Sequence, residues 1–156
     1  MQRQEMAGIT LVVGLGKSGE SAARALRALG VAFAVTDSRA NPPGLATLQA
    51  ECPEVPRSLG GFDPAAFAKA ARLLVSPGVS VKTPVIAAAA ARGIPIWGDI
   101  ELLARLTTAP IAAITGSNGK STVTTLLGLM AERAGVRAAV GGNLGEPALD
   151  LWLQQD

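Results

Sequence analysis

Residues 9–19 read Ile9-Thr10-Leu11-Val12-Val13-Gly14-Leu15-Gly16-Lys17-Ser18-Gly19, and this stretch decides the fold. Residues 9–13 form a short apolar run that stops at a glycine, the pattern of a parallel strand buried on both faces. Ala22, Ala25, Leu26 and Leu29 then recur at i, i+3, i+4 and i+7, one face of a helix. Gly30 is a C-terminal stop, and 31–35 is a second strand running into Thr36-Asp37-Ser38. Residues 9–37 therefore predict a βαβ unit with a right-handed crossover.

The pattern continues outward. Asn41-Pro42-Pro43-Gly44 is a loop, followed by a helix near 45–51 and a strand near 57–59. Asp63-Pro64 opens a helix, with Asp as N-cap and Pro at its first position. A strand at 73–75 breaks at Ser76-Pro77-Gly78, and an Ala-rich helix at 84–91 is ended by Gly93. A strand at 94–97 leads to a helix with Asp99 as its expected N-cap.

After Thr107-Thr108-Ala109-Pro110 the pattern restarts. A strand at 111–114, a Gly-containing loop, and a helix bearing Val123, Leu126, Leu127, Met130 and Ala134 on one face are expected. Gly135 stops that helix. A strand at 136–140, the turn Gly141-Gly142-Asn143 and a helix at 146–155 complete the reading. The fold expected is α/β in two units: a Rossmann-like parallel-sheet domain at 1–107, then the start of a P-loop ATP-binding α/β domain at 108–156. A parallel sheet of two strands cannot cover its own faces and edges, so the second unit is expected to be incomplete, part of a longer protein.

Composition removes several function classes. Of 156 residues, 49% are hydrophobic and 17% charged, enough apolar material to exclude wholesale disorder. Aromatic residues are 3% with no Tyr, which argues against a base-stacking surface. The net charge of +2 is scattered, so no nucleic-acid partner is expected. The absence of His excludes a His base, a Ser-His-Asp triad and His-ligated metal within these residues. Cys52 is the single Cys, so no internal disulfide forms and a reducing compartment is expected. Arg3 and the apolar run 6–15 mimic a signal peptide, but Gly14, Gly16, Lys17 and Glu20 suit a buried first strand better. A cytoplasmic monomer without membrane contact is expected.

Two glycine loops carry the chemistry. Gly14-Leu15-Gly16-Lys17-Ser18-Gly19 matches G-x-G-x-x-G between a strand and a helix, with Asp37 at the end of the next strand. In a dinucleotide site these glycines admit a pyrophosphate at the helix N-terminus, and the acid bonds the ribose 2′-OH. A tight turn without ligand is the alternative. Arg39 is a phosphate partner or a solvated loop residue.

The second loop is Thr115-Gly116-Ser117-Asn118-Gly119-Lys120-Ser121-Thr122, with the G-K-[ST] core of a P-loop. Its backbone amides suit a phosphate, Lys120 the β/γ-phosphates, and the Ser121 hydroxyl Mg²⁺. The position six before the Lys is Ile114 instead of Gly, so the loop is a shorter variant; the alternative is a glycine turn with a solvated Lys. Ser76-Pro77-Gly78-Val79 and Gly141-Gly142-Asn143-Leu144-Gly145 follow apparent strands, where open α/β sheets bind ligands. Taken singly, each reads as a turn.

In order, Gly14-Leu15-Gly16-x-Ser18-Gly19, Ser76-Pro77-Gly78, Gly98-Asp99-Ile100-Glu101-Leu102, 115–122 and Gly142-Asn143-x-Gly145 resemble the Mur ligases of the D-glutamate-adding type. The resemblance covers essentially the whole chain, and accounts for the short P-loop. It implies that ATP phosphorylates the carboxylate of UDP-N-acetylmuramoyl-L-alanine and that the D-glutamate amine attacks the acyl phosphate, giving an amide, ADP and phosphate. It assigns ATP to Gly116, Ser117, Asn118, Gly119, Lys120, Ser121 and Thr122, with Lys120 and Ser121 catalytic and Mg²⁺ on Ser121. It assigns the UDP substrate to Gly14, Gly16, Lys17, Ser18, Asp37, Ser38, Arg39 and Gly78, with Asn143 on the muramoyl portion. The family's further metal ligands and third domain come later than Asp156, so these 156 residues alone are expected to lack ligase activity. The rival readings are an NAD(P)-binding Rossmann oxidoreductase, which leaves the P-loop idle, another P-loop NTPase, which leaves the first unit idle, and a non-catalytic binding module.

Overall fold

The structure is a computed structural model and describes residues 6–143 and 145–155. Arg3 and Leu144 lie outside the described residues. The elements in chain order are β1 (Thr10–Val13), α1 (Lys17–Ala28), β2 (Phe33–Asp37), α2 (Leu45–Glu51), β3 (Arg57–Leu59), α3 (Pro64–Lys69), β4 (Arg72–Val75), α4 (Pro84–Ala91), β5 (Ile96–Trp97), α5 (Asp99–Leu106), α6 (Lys120–Arg133) and α7 (Ala148–Leu153).

The five strands form one all-parallel sheet of order β3-β2-β1-β4-β5. The chain moves outward from β1 to β3, then returns to the other side of β1 at β4. That reversal opens a crevice at the C-terminal ends of β1 and β4. Alternate residues of β1 enter opposite cores. Val12 packs with Leu15, Ala22, Leu26 and Leu102 on one face, while Leu11 and Val13 pack with Phe67, Leu73 and Ile86 on the other. This two-sided burial is why the strand is a continuous apolar run.

At three places a strand start or a helix cap is displaced from expectation by local hydrogen bonding. Val31 and Ile94 are not in strands, because their amides close the preceding helices. Val31 N donates to Leu26 O and Gly30 N to Arg27 O; Ile94 N donates to Ala89 O and Gly93 N to Ala90 O. This is the Schellman geometry, in which a left-handed glycine is followed by an apolar residue folded back on the helix. Gly30 and Gly93 have φ of 66° and 81°. The N-cap of α5 is Gly98, not Asp99, whose carboxylate accepts from Ile100 N within the first turn. Asp63 does cap α3, accepting from Ala65 N.

The largest correction concerns 107–140. Residues 111–114 and 136–140 form no strand among the described residues. α6 forms as expected, but its apolar face stays uncovered: Val123, Leu126, Leu127 and Met130 are all exposed. A helix closes its own hydrogen bonds, whereas a strand requires a neighbouring strand, and among the described residues these segments pair with none. α7 instead packs on α1 and α5. Leu149 is fully buried in the α1-side core, with Trp152 and Leu153 against it. No helix among the described residues is long and apolar enough to cross a membrane.

Candidate functional site

The first glycine loop leaves β1 at the crevice. Gly14 turns with φ of 93°, and its amide donates to Thr36 O of β2. Its carbonyl points inward, accepting from Ser76 Oγ at 2.8 Å. A Cβ on Gly19 would stand 2.0 Å from that same carbonyl oxygen, so only glycine lets α1 approach this closely. Gly16 differs: no atom lies within 4 Å of where its Cβ would be. The space beside Gly16, the N-cap of α1, is open.

Asp37 ties this loop to the next. Its Oδ2 accepts from Leu15 N at 2.7 Å and Arg39 Nη2 at 2.7 Å; its Oδ1 accepts from Arg39 N at 2.8 Å and Arg39 Nε at 2.9 Å. The side chain is 2% exposed. Burial pushes the carboxyl pKa up, but the Arg39 guanidinium and the two amides outweigh it and hold it at about 2. Four donors fill the four acceptor positions of a carboxylate. Asp37 therefore fixes the Leu15 amide and the Arg39 guanidinium, whose side chain remains half exposed. Ser38, Arg39, Lys17 and Gly78 are exposed along the same rim, with Ser18 half-buried.

The sheet thus brings together Gly14, Gly16, Lys17, Ser18, Asp37, Ser38, Arg39 and Gly78 along its C-terminal edge. Ser76 was not among the predicted site residues, although its hydroxyl holds the Gly14 carbonyl. The signal was a serine directly after a strand at the switch point.

The second loop stands apart. Gly116, Ser117, Asn118, Gly119, Lys120, Ser121 and Thr122 are all exposed. Among the described residues, none of their amides has a backbone acceptor, and no hydrogen bond joins this loop to Gly14–Gly19. Lys120 begins α6 and folds its ammonium onto the carbonyls of Gly116 and Ser117. Unpaired amides beside a cation are a fit for a phosphate chain, and the exposed Ser121 hydroxyl is the oxygen donor a hard divalent ion prefers. No cluster of three His, Cys, Asp or Glu side chains occurs among the described residues. Asn143 is exposed in a turn closed by Gly142 N donating to Glu146 O.

Comparison with known proteins shows the family and the fold. Residues 9–98 match the family model described as Mur ligase MurD-like, N-terminal domain. Curated relatives named UDP-N-acetylmuramoylalanine–D-glutamate ligase include one from Nitrosococcus oceani, 55% identical over 147 residues, 94% of this chain and 32% of the relative. Another from Pseudomonas fluorescens is 60% identical over 141 residues, 90% of this chain and 32% of the relative. The relative from Marinobacter nauticus is 59% identical over 145 residues, 93% of this chain and again 32% of its own length. The chain thus spans about a third of these relatives. Two solved structures share the fold. A pseudomurein peptide ligase type C from Methanothermus fervidus has TM-score 0.54 at 24% identity, covering 82% of this chain and 26% of its own. A UDP-N-acetylmuramate:L-alanyl-gamma-D-glutamyl-meso-diaminopimelate ligase from Neisseria meningitides has TM-score 0.56 at 21% identity, covering 90% and 45%.

Proposed function

The chain belongs to the MurD-like Mur ligase family, and from that premise we propose that it carries the sugar-nucleotide-binding portion of an ATP-dependent ligase joining D-glutamate to UDP-N-acetylmuramoyl-L-alanine in peptidoglycan synthesis. The observation that carries the reading is the loop at the β1/β4 crevice. Its carbonyl is locked inward by Ser76 and Gly19. Among the described residues the amides of Gly16, Lys17 and Ser18 at its helix N-terminus have no backbone acceptor, as a diphosphate site requires, and the half-exposed Arg39 stands at the end of the neighbouring strand.

In this reading Gly14 and Gly16 let the backbone approach the diphosphate. Lys17 and Ser18 line the loop, and Ser38, Arg39 and Gly78 meet the nucleoside end. Asp37 acts through Arg39 and the Leu15 amide, because its own acceptors are filled. Asn143 contacts the muramoyl portion. The amides of 116–122, with Lys120, hold the ATP phosphates. Bringing a carboxylate to the γ-phosphate sets like charges together, and Lys120 offsets that repulsion. Mg²⁺ held at the Ser121 hydroxyl supplies further positive charge when bound. The domain division at 107/108, a cytoplasmic location and a monomeric state belong to the same proposal.

The oxidoreductase reading is disfavoured. It needs Asp37 to accept from a ribose 2′-OH, and that carboxylate already has four donors. Thermal melting separates the two. A ligand that binds only the folded state at a hundred times its Kd stabilises by about 2.7 kcal/mol. UDP-N-acetylmuramoyl-L-alanine should raise Tm by several degrees, UDP by less, and NAD not at all. A rise with NAD and none with either uridine ligand would overturn the proposal.

A further inference from the structure

α7 is tied to α1 by a two-pronged ion pair between residues 126 apart in sequence. Arg24 Nε donates to Asp150 Oδ1 at 2.9 Å and Arg24 Nη2 to Asp150 Oδ2 at 2.6 Å. The Asp150 side chain is 13% exposed, so the pair is largely shielded on that side. Beside it, Leu149 is fully buried in the core that α1 covers.

Both helices hold a glycine turn at their N-terminal ends. α1 begins at Lys17 inside the Gly14–Gly19 loop. α7 begins at Ala148, directly after the turn that carries Asn143. That turn is nested on its own helix. Gly142 N donates to Glu146 O, and a Cβ on Gly141 would collide with Leu151 of α7 and Glu146 O. The contacts are therefore continuous: Asn143 turn to α7, α7 to α1 through Leu149 and the ion pair, α1 to the first glycine loop.

We propose that Arg24 and Asp150 are positioning residues that set the separation between the first glycine loop and the Asn143 turn, and so the length of sugar nucleotide both can hold at once. This rests on the sugar-nucleotide reading above. Neither side chain needs to touch the ligand. A planar guanidinium paired in two places fixes angle as well as distance, which a Lys in its place does not. Burial of Leu149 sets where α7 sits, and the ion pair sets its rotation over α1.

The test uses the 156-residue chain with two ligands of different reach, UDP and UDP-N-acetylmuramoyl-L-alanine, in calorimetric titration. Amide exchange of 145–153 is followed alongside. In Arg24→Lys and Asp150→Asn, UDP affinity should stay within about twofold, while affinity for the longer ligand falls about tenfold, the equivalent of roughly 1.4 kcal/mol. Exchange in 145–153 should accelerate while β1 and β4 stay protected. The double variant Arg24→Asp with Asp150→Arg should recover much of the loss. Equal weakening of both ligands marks a merely structural pair and overturns the proposal, as does unchanged exchange in 145–153. If the unaltered chain binds neither ligand, the sugar-nucleotide reading fails and the positioning role falls with it. If it binds both but the variants match it, only the positioning role fails.

Discussion

Asp37 is held as a carboxylate by the groups it organises, and that makes it the point where pH reaches the site. Folding lowers its pKa from 3.8 to about 2, so its contribution is full well above 4 and is lost as pH falls through 2. Because Arg39 is half exposed, the contribution is discounted for solvent screening to about 1–2 kcal/mol. Asp37→Asn should therefore be less stable than the natural chain by that amount in urea titrations at pH 7. The gap should close as pH approaches 2; a gap that widens in acid would refute the assignment. Glycines give a second contrast. Gly19→Ala forces a methyl onto the Gly14 carbonyl and should cost about 1–3 kcal/mol or more of stability. Gly16→Ala meets no protein atom and has an ordinary φ of −97°, so stability should change by less than about 1 kcal/mol. Its methyl occupies the open space, so UDP binding should weaken. Melting curves with and without UDP separate the two effects.

At the scale of elements, the apolar residue after each helix-ending glycine decides what was legible. Val31, Ile94 and Val136 read as strand starts by hydrophobicity, yet each closes the helix before it; Val136 N donates to Ala131 O as Val31 N does to Leu26 O. Leu-Gly-Val, Arg-Gly-Ile and Ala-Gly-Val carry the same local instruction, which periodicity alone does not separate from β propensity. Elements whose signals were purely local matched the sequence reading: α2 and α4 have the expected bounds, and Asp63 caps α3. Segments 111–114 and 136–140 did not, because a strand is a property of two chains of backbone. The site divides likewise. The glycine motif and Asp37 were visible as spacing, whereas Ser76 on Gly14 O and Arg24 on Asp150 join residues 62 and 126 apart and have no local signature. The same contrast predicts energetics. Leu149→Ala should cost about 2–5 kcal/mol, a fully buried side chain leaving a cavity, while Leu126→Ala on the uncovered face of α6 should stay within about 0.5 kcal/mol. Urea midpoints decide; equal losses would mean that α6 is packed in solution.

At the scale of the whole molecule, the chain leaves its sheet at α5 and returns to it at α7, so 107–146 is an excursion held at both ends. At the far end α7 holds it, through Leu149, Trp152, Leu153 and the Arg24 pair. Cleavage requires local opening, and exposed backbone without ladder partners opens at the least cost. Arg133 and Arg137 are exposed at the end of α6 and beyond it, whereas Arg72 is 5% exposed inside the sheet. Brief trypsin treatment should therefore cut after Arg133 and Arg137 well before Arg72. The cut leaves a piece from Ala138 onward joined to the rest by no peptide bond. Burial of apolar area at α7 and the ion pair should keep that piece associated, so nicked protein should elute as one species in size exclusion. Leu149→Ala removes most of the buried anchor, so in that variant the same nick should release the C-terminal piece. Release from the unaltered chain would show that α7 is not docked on α1, and the link between the two glycine turns would lose its basis.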